Sequence, residues 1–87
     1  MSLLTNKVAL ITGGASGIGR ATANVFAREG AKIAVADMDT TQGEETAHQI
    51  CTSGGEAIFV KTDVSKASDI EAVVQKTADT FGQLDCA

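Results

Sequence analysis

Apolar residues fall in short unbroken runs, separated by stretches in which they recur every third or fourth position. The runs are Val8-Ala9-Leu10-Ile11, Ile33-Ala34-Val35-Ala36 and Ala57-Ile58-Phe59-Val60. A strand covered on both faces of a parallel sheet needs apolar side chains at successive positions, and such runs supply them. They predict strands over 7–12, 32–37 and 56–61. Three helical patterns follow them. Ile18, Ala21, Thr22, Val25 and Phe26 form the first stripe, which stops before Gly30. Ala47, Ile50 and Cys51 form a thin second stripe, closed by Gly54-Gly55. Its start is Asp39 or Thr41, since Asp39-x-x-Gln42 and Thr41-x-x-Glu44 both match a capping box. Ile70, Val73, Val74, Thr77 and Phe81 form the third, with Ser65 as the expected cap and Gly82 as the stop. Leu84-Asp85-Cys86-Ala87 predicts the start of a fourth strand.

Strands alternating with helices through short loops point to a parallel sheet with right-handed crossovers. The expected fold class is α/β, a Rossmann-like doubly wound parallel sheet, of which β-α-β-α-β-α and the start of a fourth strand form the first half. Residues 1–87 are expected to form the N-terminal part of one such domain, with no internal repeat, linker or low-complexity segment. Proline is absent, so the turns rely on Gly, Asp, Asn, Ser and Thr.

Composition narrows the function classes. A net charge of −4, with no basic stripe, gives no support to nucleic-acid binding. The apolar runs are far too short to span a membrane. No signal peptide is visible at the N-terminus. Cys51 and Cys86 lack zinc-ligand spacing and are expected to be buried or half-buried thiols in a reducing, cytoplasmic setting. No metal site is expected.

The candidate chemistry lies between the first strand and the first helix, at Thr12-Gly13-Gly14-Ala15-Ser16-Gly17-Ile18-Gly19. Glycines let a backbone turn sharply and let a ligand approach it. The helix that follows offers unpaired N–H groups and the positive end of its dipole, a combination that favours a phosphate. A Walker loop is excluded, because Arg20-Ala21 follows Gly19 where Lys-Ser/Thr would be needed. The general G-x-G-x-x-G fingerprint fails too, since it would require glycine at Ala15 or Ser16. What stands is T-G-x-x-x-G-x-G. The alternative is a plain strand-to-helix turn, but Gly13, Gly14, Gly17 and Gly19 together exceed what a turn requires.

This spacing resembles the short-chain dehydrogenase/reductase family, in its single-domain subgroup, and the resemblance covers essentially the whole chain. It implies that the backbone around Gly13, Ser16, Gly17, Ile18 and Gly19 faces the adenosine and pyrophosphate of a dinucleotide. Asp37, at the end of the second apolar run, lies near the ~20-residue interval expected of a ribose-binding acid. The competing reading is that Asp37 starts the next turn, a task for which Asp39 is better placed. A 2′-phosphate about 5 Å from Asp37 would meet roughly 3 kcal/mol of repulsion per unit charge at an effective dielectric near 20, about a hundredfold against NADP. NADP-preferring relatives place a basic residue at the positions of Ser16 or Met38, and neither is basic here. NAD is the expected cofactor. Arg20 follows the loop and is expected on the helix surface.

The resemblance further implies that Asp63 and Val64 lie against the adenine, with Met38 on the ring's other side. Without it, Asp63 is equally well a loop acid leading into the Ser65 cap. His48, Lys66, Lys76, Asp69 and Asp79 are expected to be solvated. Relatives continue the fourth strand into Asn-Asn-Ala-Gly, then a catalytic serine and Tyr-x-x-x-Lys. This chain contains no tyrosine, so no catalytic residue is assigned within it. The implied whole is an NAD-dependent oxidoreductase acting on a small alcohol or carbonyl substrate. By resemblance it forms a homo-oligomer, dimer or tetramer, and residues 1–87 are its N-terminal cofactor-binding part, truncated before the catalytic region. A non-catalytic nucleotide-binding or interaction module is the alternative. A methyltransferase is a third, against which the glycine spacing counts.

Overall fold

Three strands, β1 (Val8–Thr12), β2 (Lys32–Asp37) and β3 (Ala57–Lys61), lie side by side in that order and run parallel. Helices α1 (Gly17–Arg28), α2 (Thr40–Thr52) and α3 (Ala67–Phe81) alternate with them. The computed structural model describes residues 7–13 and 17–83. Ser16, Cys86 and the expected fourth strand lie outside the described residues.

The two faces of the sheet follow the alternation of side chains along each strand. Ala9, Ile11, Ile33, Val35, Ala57 and Phe59 point to one face, where they pack with Ala23, Phe26 and Ala27 of α1 and Ile50 of α2. Leu10, Ala34, Ala36, Ile58 and Val60 point to the other, against Val73 of α3. β2 is the centre, and Ile33 to Ala36 are wholly buried. Thus α1 and α2 cover one face while α3 returns across the other, over β2 and β1. The third connection thus leaves β3 on the face opposite to the first two and heads back toward β1.

α1 and α2 end in the same way. Ala31 and Gly30 donate to the Phe26 and Ala27 carbonyls, as Gly55 and Gly54 donate to those of Ile50 and Cys51. These paired bonds satisfy the last turn of each helix and send the chain straight into the next strand. α2 starts at Asp39, whose carboxylate accepts the Gln42 N–H at 3.0 Å. Such a cap stabilises a helix by about 0.5–2 kcal/mol.

Four expectations from the pattern are corrected. In α1 the residue that meets the core fully is Ala23, helped by Phe26 and Ala27; Ile18 is 87% exposed and Val25 43%. The helix rests on β1 and β2 through a small residue that lets it approach closely, so the apolar stripe is rotated to its flank. In α2 the buried positions are Gly43, Thr46, Ala47 and Ile50, while Cys51 is exposed. A Cβ on Gly43 would collide with the Phe59 ring, so α2 sits directly on β3. In α3 Val73 and Thr77 are buried but Ile70 and Val74 are partly exposed, and the N-cap is Lys66, without a side-chain bond. Ser65 instead donates to Asp63.

Candidate dinucleotide-binding site

The ladders continue one residue beyond β1 and β3. Gly13 N–H donates to the Ala36 carbonyl at 2.8 Å, and Thr62 N–H donates to the Asp37 carbonyl at 2.9 Å. These two bonds draw three loops, far apart in sequence, to one carboxyl edge. Gly13, Ala36, Asp37, Met38, Thr62 and Val64 line a shallow groove of about 220 Å³ there. A second groove, about 310 Å³, runs from Leu10, Ile11, Thr12 and Gly13 to Ile18, Gly19 and Thr22. Gly13 belongs to both, so the grooves meet at the turn.

Gly13 and Gly17 have φ of 69° and 60°, the left-handed region that costs other residues steric strain. A Cβ on either would meet no described atom within 4 Å. Gly17 opens α1, whose first turn holds no acidic residue to offset the positive end of its dipole. Ile18 projects into solvent, and Gly19 lines the second groove. An anion seated at this turn would meet helix N–H groups without a competing carboxylate on that helix turn.

Asp37 ends β2, in register with Lys61 of β3. It continues the row of Ile33 and Val35, so the strand alternation turns it to the face carrying α1 and α2. One of its oxygens accepts the Asp39 N–H at 3.0 Å. It therefore shapes the turn, and a ribose would share its carboxylate with that bond. Met38 is 57% exposed beside it, and Val64 is equally exposed across the groove.

Asp63 is held differently. Its Oδ1 accepts the Ser65 hydroxyl at 2.6 Å and the Ser65 N–H at 2.9 Å. Both bonds, with help from the Lys66 charge, keep its carboxyl below its ordinary value of 3.8. Its own N–H donates to Asp69 Oδ2 at 3.0 Å. The structure thus brings Gly13, Asp37, Met38 and Val64 together in one groove, and gives the Asp63 carboxylate to its own turn.

Three residues outside the expected set contribute here. Thr62 is buried, lines the groove, and donates its hydroxyl to the Val60 carbonyl. Asp69, expected to be solvated, is half-buried in the first turn of α3 and anchors the Asp63 backbone. Arg20 reaches across from α1 to α2, donating to Thr46 and Gln42. A first-turn acid was the only sequence signal for Asp69, and none existed for Arg20, whose partners lie a whole element away. His48 is exposed, as expected. Among the described residues no cluster of three or more His, Cys, Asp and Glu could hold a metal, and no helix is long and apolar enough to cross a membrane.

Residues 7–86 match the family model described as short chain dehydrogenase. An uncharacterized oxidoreductase of Thermotoga maritima is 51% identical over 79 residues, covering 91% of this chain and 31% of that protein. The 3-hydroxyacyl-CoA dehydrogenase type-2 of Drosophila melanogaster is 42% identical over 83 residues, covering 95% and 31%. A hydroxysteroid dehydrogenase crystal structure from Escherichia coli superposes with a TM-score of 0.93 at 29% identity, over 95% of this chain and 35% of that one. This chain belongs to the short-chain dehydrogenase family, and the methyltransferase alternative falls with that. It spans about a third of the length of the relatives it matches.

Proposed function

We propose that residues 1–87 of this short-chain dehydrogenase family member form the NAD-binding part of a longer oxidoreductase. That enzyme transfers hydride between the nicotinamide and an alcohol or carbonyl substrate. The carrying observation is the meeting of Gly13, the amino end of α1 at Gly17 and the Asp37 carboxylate at one edge of the sheet. Catalytic serine, tyrosine and lysine belong, by the family resemblance, to the two thirds of the relatives that this chain does not span.

The residues present fit the adenosine half of such a cofactor. The segment with Gly13, Ser16, Gly17, Ile18 and Gly19 would take the pyrophosphate, through backbone N–H groups and the helix dipole. Asp37 would accept from the ribose hydroxyls. The groove between Met38 and Val64 would take the adenine, with Asp63 at its margin. The bound nicotinamide would supply the carbon that gives or receives hydride.

The choice of NAD over NADP rests on the charge of Asp37 and on the neutral side chains at Ser16 and Met38. Arg20 supports it as well, because its Nε and one terminal nitrogen are already bonded to α2. The cytoplasmic assignment rests on the exposed Cys51, which forms no disulfide among the described residues and suits a reducing compartment. A homo-oligomer is the family expectation, checked by light scattering.

Calorimetric titration of the full-length protein with NAD, NADP and ADP-ribose tests the cofactor assignment. NAD should bind tighter than NADP, with ADP-ribose retaining much of the affinity. Binding of none of the three would overturn the reading, and tighter NADP would overturn its cofactor half. Turnover of no alcohol or carbonyl by a protein that binds NAD would point to the non-catalytic module.

A further inference from the structure

We infer that Arg20 is a positioning residue that sets the separation between the glycine turn and the adenosine-ribose acid, an inference that rests on the cofactor reading above. Arg20 lies in the first turn of α1, directly after Gly19. Its Nε donates to Thr46 Oγ1 at 2.8 Å. Its terminal nitrogen donates to the Gln42 backbone carbonyl at 3.0 Å and to Gln42 Oε1 at 2.8 Å. The planar fork of a guanidinium can hold these acceptors together, whereas an ammonium presents no fixed fork.

The acceptors are themselves tied down. Thr46 is fully buried, and its hydroxyl donates to the same Gln42 carbonyl at 3.1 Å. The Gln42 N–H is held by Asp39, whose own N–H is held by Asp37. An unbroken chain of bonds thus runs from Arg20 through Gln42 and Asp39 to the Asp37 carboxylate. It also explains why the expected capping box is only half formed. Gln42 gives its side chain to Arg20 rather than reaching back to Asp39.

The glycine turn feeds α1 and the Asp37 turn feeds α2, so the two subsites sit at the amino ends of two helices that Arg20 clasps together. A ligand that spans both subsites depends on their spacing. A ligand confined to one does not. That asymmetry separates positioning from a general loss of stability, which would weaken both ligands alike.

The test measures ADP-ribose and adenosine binding to the full-length protein, in wild type, Arg20→Met, Arg20→Lys and Thr46→Val. In Arg20→Met the ADP-ribose dissociation constant should rise about fivefold or more, within the usual range of coupling between two sites. Adenosine should change by less than about twofold on the same basis. Arg20→Lys should restore little, and Thr46→Val added to Arg20→Met should add little, because both remove the same clasp. If Arg20→Met does not fold, Thr46→Val alone should show the same selective loss. Parallel loss of both ligands, or unchanged ADP-ribose affinity in the variants, would overturn the inference. A wild type that binds neither ligand would overturn the cofactor reading and this inference with it.

Discussion

The Asp37 carboxylate accepts the backbone N–H of Asp39 at 3.0 Å, so the acid assigned to the ribose also builds the turn that starts α2. The two roles make different predictions. Asp37→Ala should weaken NAD by about 10- to 150-fold, the cost of roughly 1.5–3 kcal/mol for charge-assisted hydrogen bonds. It should relieve the repulsion against NADP by a comparable factor. Asp37→Asn keeps an oxygen for the Asp39 N–H while removing the charge, so it should favour NADP without loosening the turn. The ratio of kcat/KM for NAD over NADP in the full-length enzyme is the measurement. An unchanged ratio in both variants would leave Asp37 a turn former only.

Gly13→Ala puts a side chain at a φ of 69°, which should cost about 1–2 kcal/mol of backbone strain. It also places a methyl group in the space proposed for the pyrophosphate. ADP-ribose affinity should therefore fall further than the loss of stability accounts for, and adenosine affinity should fall less, since Gly13 lines only one end of the Met38–Val64 groove. Melting temperature and the two binding constants, measured on one preparation, separate these effects.

The Asp63 turn carries a pH dependence. Its carboxyl is held below 3.8 in the folded state by the Ser65 hydroxyl and N–H. A depressed value contributes stability above the unfolded value and loses it as pH falls through the folded one, so the Asp63-Ser65 turn should weaken only below about pH 3.8. Ser65→Ala removes the stronger donor and should move the Asp63 titration upward. Carbon-detected NMR titration of Asp63 in both proteins reads the shift, and an unmoved titration would refute the assignment of its cause.

Residues 1–87 made alone should not melt cooperatively as a monomer. Ile18, Val25, Ile70 and Val74 leave apolar surface on flanks of α1 and α3, and among the described strands β1 is paired only with β2. An apolar strand edge with exposed apolar neighbours favours association over folding. Differential scanning calorimetry with sedimentation measures it; a sharp, concentration-independent transition would contradict the expectation.

Arginine at Met38 combined with Asp37→Ala should raise NADP affinity further, through a charge-assisted bond to the 2′-phosphate. Met38 is exposed and lines the groove beside Asp37, so the longer side chain has room. NADP binding no tighter than in Asp37→Ala alone would show that the phosphate lies elsewhere.

The order and kind of the six elements were legible in the sequence alone, because each depends on neighbours close along the chain. Unbroken apolar runs predict β1, β2 and β3 within a residue or so, and Gly30, Gly54 and Gly82 end their helices where expected. The glycine turn and the acid at the end of β2 belong to the same class of local signal. Packing decided the rest. Helical spacing shows that Ile18, Ala21 and Val25 share a flank of α1, yet cannot show that Ala23 is the residue pressed on the sheet. That depends on how closely a helix can approach two strands. Arg20 and Thr46 meet only because α1 and α2 lie on the same face, an outcome of right-handed crossovers taken twice in one direction. The groove at Gly13, Asp37 and Val64 likewise exists only once three parallel strands end at one edge, since no local pattern records what stands across a sheet.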